Sequence, residues 1–299
     1  MAAKTLSRIP AEKQLNQFEK DADEIGKEIS KVLMMVDLLD YTETMAMKIR
    51  IQIDLLIKKL NKLDVKYIGR FIPVAYAEAR EASAVALEVL GKKKQPTFNN
   101  SIHQFAIMER KKEALGFLWK ANGSIRQFTE TYLYLSRRVA DGLKQLQLTE
   151  FGGLDASDEA FLLDRITDAV EAGTSRQVAA KRIRDFFQMK IGDGSLLNIN
   201  GRYYRIGPYS KLVARTEMRR AQSDAVKNAS KQYNSDLVEV SDHGTLTDIC
   251  KPYEGNIYSI SGNSQKYPYL DTDPPYHPNC MHYLIPTSAE AIDFEGGFQ

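Results

Sequence analysis

Apolar residues recur every three or four positions through most of the first half of the chain. Ala22, Ile25, Ile29, Val32 and Val36 define one buried helical stripe. Met45, Ile49, Ile53, Leu56, Leu60 and Leu63 define a second. Within it Ile49, Ile51, Ile53 and Leu55 also alternate as a strand does, but the length of the run favours helix. A third stretch, about 74–90, is rich in Ala, Glu and Leu and stops at Gly91, after which 91–96 reads as an exposed Lys-rich loop. Asn100 or Ser101 is expected to cap a fourth helix carrying Ile102, Phe105, Leu115 and Leu118. Ser124 is expected to cap a fifth, with Ile125, Phe128, Tyr132, Leu135, Val139, Leu143 and Leu146 on one face. Five helices with short connectors predict an elongated helical domain or bundle over 1–150.

The pattern then changes. Residues 151–154, with Gly152 and Gly153, read as a hinge, followed by short helices at about 157–172 and 175–189. Residues 191–200 read as a loop. An Ala-rich helix is predicted over 211–234, and strands over 237–240 and 256–260. The expected fold class is therefore α+β: a mainly helical part over 1–150, a small α+β module over 151–286, and a loose tail over 287–299.

Composition alters this picture little. A length of 299 residues suits two domains, and 43% hydrophobic with 27% charged residues is ordinary for a globular protein. Residues 1–150 hold 25 Lys and Arg against 19 Asp and Glu, or +6, and the rest hold 16 against 20, or −4. So mild an asymmetry is a solvated face as readily as a nucleic-acid contact. The best basic helix carries Arg176, Lys181, Arg182 and Arg184, a candidate for DNA-backbone contact by counterion release. Val178, Ile183 and Phe186 on the same segment need a core, and favour a packed surface helix. The amino terminus shows no apolar leader core, and no apolar run approaches the ~18 residues of a membrane helix, so no membrane partner is expected. Two cysteines make no disulfide framework; a cytoplasmic protein with reduced thiols is the plain expectation.

Informative residues gather between positions 211 and 286. Arg215-Thr216-Glu217 stands near the start of a predicted helix, and Ser241-Asp242-His243 follows the first strand. Glu254-Gly255 precedes a strand containing Tyr258, and Asn279-Cys280-Met281-His282 is followed by Pro286. In this order and spacing the segment resembles the Mu F-like minor head proteins of tailed bacteriophages, close to their phage minor capsid protein 2 branch. Met281 departs from the pattern, which commonly has Arg there. The resemblance implies a non-enzymatic minor structural protein of the head. It would associate with the portal protein during procapsid assembly, lie in the head interior, and assist packaging, retention or delivery of viral double-stranded DNA. The helical front half is the expected portal-docking or oligomerising part. Arg215, Thr216, Glu217, Ser241, Gly255, Tyr258 and Asn279 are the expected structural residues of the motif.

The same segment carries chemistry of its own. Three of the four histidines and both cysteines fall between 243 and 282. Cys280 and His282 are two apart, so an extended backbone points both side chains the same way. Thiolate and imidazole are the ligands of structural Zn2+, with four in a tetrahedron. His243, Cys250, Cys280 and His282 are the candidate tetrad, with His277 as substitute. Three other readings stand beside it: small buried side chains without a ligand, a Cys250–Cys280 disulfide, and a toxin-like or peptidase-like thiol enzyme. The last would use Cys280 activated by His277 or His282, although no orienting third group stands at a readable spacing. Glu217 and Arg220, three apart, are expected to pair on one helix face.

Overall fold

The computed structural model describes residues 2–145 and 196–288, together with Lys181, Asp185, Gln188, Met189, Ile191, Gly192 and Gly194. The expected hinge at 151–154, the helix at 157–172, most of the basic helix at 175–189 and nearly all of the tail lie outside the described residues. The elements in order are α1 (Ala2–Ser7), α2 (Glu12–Leu33), α3 (Glu43–Val89), α4 (Ser101–Gln145), β1 (Leu197–Ile199) and β2 (Arg202–Tyr204). Then come α5 (Ile206–Gln232), β3 (Leu237–Val240), β4 (Ile257–Ser259) and β5 (Leu284–Thr287). The class is α+β, as expected.

Two long helices replace four of the expected shorter ones. The second and third stripes are one helix of 47 residues, although Pro73 lies inside it. A proline there removes one backbone hydrogen bond and costs about 3 kcal/mol. The buried series Leu60, Tyr67, Ile68, Phe71, Ile72, Ala75, Tyr76 and Ala79 runs through the proline without a change of face, and that packing offsets the cost. Likewise α4 continues through Gly123 and Ser124, because Leu118, Ala121 and Ile125 stay on one buried face. Ser124 caps nothing; its hydroxyl donates to Ala121 O at 2.7 Å. The cap of α4 is Asn99, whose side chain accepts Ser101 N–H at 3.0 Å, rather than Asn100 or Ser101. Gly91 does end α3: at φ 74° it lets Lys92 N–H reach Leu87 O at 2.9 Å and close the last turn.

Contacts divide the chain into two compact units, each assembled from separate segments, and not along a line at residue 150. One unit comprises Phe18–Leu63 and Leu118–Ser210. Its core joins Ile25, Ile29 and Leu33 of α2, Ile53 and Leu60 of α3, Ile125 and Val139 of α4, and Leu197 and Ile206. Here the expected loop at 191–200 is partly strand: β1 pairs antiparallel with β2, Leu197 opposite Tyr204. Asn200 and Gly201 form the turn with φ of 52° and 79°, the conformation an Asn-Gly hairpin favours. Asp23 of α2 sits at the start of α5, accepting Gly207 N–H at 2.9 Å and pairing with Arg205. A carboxylate there satisfies a free helix donor and meets the positive end of the helix dipole.

The other unit comprises Met1–Gln17, Asp64–Phe117 and Lys211–Gln299. Residues 211–232 of α5 run through it. Arg219 donates to Leu6 O at 2.7 Å and Ser7 O at 3.0 Å, and Gln222 donates to Arg8 O at 2.8 Å. These bonds fill the open carbonyls at the end of α1. Asn228 of α5 donates to Tyr76 Oη at 2.9 Å, and Tyr76, 2.8 Å from His103 Nδ1, passes its own proton onward, so α3, α4 and α5 share one buried chain. The sheet has the order β4-β3-β5, all antiparallel, with Val238 opposite both Tyr258 and Pro286. Strand β5 was not expected, because a proline argues against a strand; it is tolerated on this edge position.

Candidate functional site

Loops on either side of β4 bring the candidate residues together. The first, between β3 and β4, carries His243, Cys250 and Glu254; the second, ahead of β5, carries Cys280 and His282. Ser241 ties them, its N–H donating to Tyr283 O at 3.0 Å and its hydroxyl accepting Tyr283 N–H at 3.1 Å. Cys250 is placed by a turn in which its N–H reaches Thr247 O at 3.0 Å. Gly255, at φ 68°, reverses the chain into β4 and donates to Val240 O at 2.9 Å. Asn279, at φ 67°, turns the chain into Cys280.

Cys250, Cys280 and His282 are buried and converge. The two sulfurs are 3.9 Å apart, Cys280 Sγ lies 3.4 Å from His282 Nδ1, and the three ligand atoms all lie within 4.8 Å of one another. On its other side His282 Nε2 meets Glu254 Oε1 at 3.0 Å. A carboxylate can only accept, so Nε2 carries the proton and Nδ1 presents its lone pair to the sulfurs. Glu254 also accepts His243 N–H at 2.5 Å and Thr245 N–H at 2.9 Å. Burial works against its charge, but the bonds from His243 N–H, His282 and Thr245 N–H outweigh that and hold its carboxyl below the usual range. Burial, then neighbouring Cys280, pushes the Cys250 thiol up to about 11.

His243 stands beside this cluster and outside it. Its Nε2 shares a hydrogen bond with Ser241 Oγ at 2.9 Å, and its ring lies edge-on to His282 at 5.0 Å. Burial and then the neighbouring His282 lower its pKa. His277 is bonded to Pro278 O at 2.7 Å and does not join. Glu254 was missing from the expected site; its place before Gly255 in the motif was the signal that marked it. It also supplies the orienting group that the sequence did not offer for a Cys280–His282 pair.

The remaining motif residues lie outside the cluster. Thr216 Oγ1 donates to Leu212 O at 2.9 Å within α5, and Glu217 is buried and paired with Arg220 at 2.6 Å, as its spacing predicted. Arg215 is exposed, on a cleft of about 320 Å³ that Arg8, Lys211, Arg219, His243 and Cys280 also line. Tyr258 packs within β4, 6.1 Å from Tyr253, and Tyr253 stacks on Tyr276 at 4.4 Å.

A small antiparallel sheet with two loops locked around a buried Cys/His cluster is the region that the comparison with known families picks out. Residues 162–290 match the model of the family described as phage minor capsid protein 2. That stretch, somewhat less than half of the chain, takes in α5, the sheet and the whole cluster. No curated protein and no solved structure matches the chain.

Proposed function

We propose that the protein is a minor structural component of a tailed-phage head that joins the portal during procapsid assembly, lies in the head interior, and assists packaging or delivery of the viral DNA. The observation that carries this reading is the match of residues 162–290 to phage minor capsid protein 2. An exposed apolar strip is consistent with it. Met47, Ile51 and Leu55, one turn apart along α3, are 62, 53 and 59% exposed, and such a strip suits docking on another protein. Affinity capture of the tagged chain from phage-infected cells tests the reading: the portal subunit should co-purify and the chain should be found in procapsids. Absence from both procapsids and mature particles refutes it.

A second reading, a thiol enzyme, has one observation in its favour: Cys280, His282 and Glu254 stand in the order of nucleophile, base and orienting carboxylate. It requires Cys280 to be the single thiol that reacts rapidly with an alkylating agent.

A further inference from the structure

The spacing of the three converging atoms carries more than a nucleophile requires. Zinc held tetrahedrally, with bonds of about 2.3 Å to sulfur and about 2.0 Å to nitrogen, sets edges of about 3.8 Å between two sulfurs and about 3.5 Å between sulfur and nitrogen. The corresponding separations are 3.9 Å from Cys250 to Cys280 and 3.4 Å from Cys280 to His282. A disulfide, at about 2 Å between sulfurs, does not match, and both cysteines are free. A catalytic pair gives no reason for a second sulfur beside the first.

We propose that Cys250, Cys280 and His282 bind one zinc ion, with Glu254 as the residue that positions His282, and with His243 outside the ligand set. On binding, the two thiols release their protons and the two thiolates balance the charge of the ion. The buried centre therefore carries no net charge of its own, which is the condition for burying it cheaply. His282 Nδ1 supplies the third bond, while its Nε2–H stays on Glu254, the carboxylate–histidine pairing that fixes ring orientation in zinc sites. Solvent completes the fourth position. The ion joins a loop that precedes β4 to one that follows it.

The test uses the full chain, expressed with zinc in the medium and purified under reducing conditions. Elemental analysis should give about one zinc per chain. Replacement by cobalt should produce thiolate-to-metal absorption together with the visible bands of a tetrahedral ion. Cys280→Ser and Cys250→Ser should each abolish metal binding. Should either fail to fold, the wild type still answers, because chelation should release one metal and expose two thiols together. His243→Ala should retain the metal, and Glu254→Gln should weaken zinc about 10–100-fold in chelator competition with the cobalt bands preserved. Reduced, folded protein that takes up neither zinc nor cobalt overturns the proposal, as does one rapidly alkylated thiol in metal-free protein. Loss of metal in His243→Ala to the extent seen for Cys280→Ser overturns the three-residue assignment. None of these readouts depends on whether the chain enters a phage head.

Discussion

Tyr76 and His103 show how much one buried hydrogen bond can decide. The Tyr76 hydroxyl is pushed up to about 12, by burial above all, so it keeps its proton and can give it to His103. Tyr76→Phe removes the donor to a buried ring nitrogen and the acceptor for Asn228. It should lower stability by about 1–3 kcal/mol, read from the denaturant midpoint with an unchanged slope. The imidazole itself is held below its ordinary value, first by burial, then by the positive charge of Arg80 and Lys94. A lowered folded value means that the unfolded chain binds the proton more readily. The contribution of His103 is therefore complete above about pH 6.5 and is lost as pH falls through the folded value. Replacing His103 by Gln should flatten that part of the stability profile. At this scale the sequence was readable where spacing alone sets the neighbour: Cys280 with His282, Glu217 with Arg220. The role of Glu254 was not: its place before Gly255 marks the residue, but its three donors come from two loops and no spacing along the chain announces them.

Among the elements, what decides is continuity of a buried face. Among the described residues apolar spacing located the long helices but broke α3 between 63 and 74 and α4 at Ser124, since a change of stripe and a capping residue are local signals and the continuous packed face is not. The hairpin of β1 and β2 was missed for the opposite reason: its strands are three residues each, too short for alternation to register, and only Asn200-Gly201 marks it. At the start of α5 a close approach makes Gly207 necessary. A methyl group there would meet Asp23 Oδ1 at 2.6 Å and the backbone oxygen of Glu19. Gly207→Ala should cost about 1–3 kcal/mol, seen as a lower melting temperature, because backbone cannot move aside cheaply. The exposed strip on α3 should behave in the reverse manner. Changing Met47, Ile51 and Leu55 together to Gln should leave the melting temperature within a few degrees and reduce portal capture at least tenfold. Full capture by that variant would remove the strip from the docking face.

For the molecule as a whole, the class could be read from the chain, but not how the segments group. Helical residues 64–117 and the amino-terminal 1–17 share a unit with 211–299, which no periodicity reveals. A fragment of residues 151–299 lacks the partners of Arg219, Asn228 and Asp224 on α1, α3 and α4. It should therefore show little amide protection along α5 in hydrogen exchange, whereas the same amides in the full chain should be among the slowest. Equal protection in fragment and full chain would show that the rear region folds alone. The discontinuous grouping also sets an order of events during synthesis. All of the unit built from 18–63 and 118–210 is synthesised before the last segment of the other unit is begun. At about 5–20 residues per second, the roughly 90 residues from Lys211 onward take on the order of ten seconds. For that interval Tyr76 waits for Asn228, and Leu87 for Ala229 and Tyr233, none of them yet translated, and a nascent chain paused there is the form that a chaperone would meet.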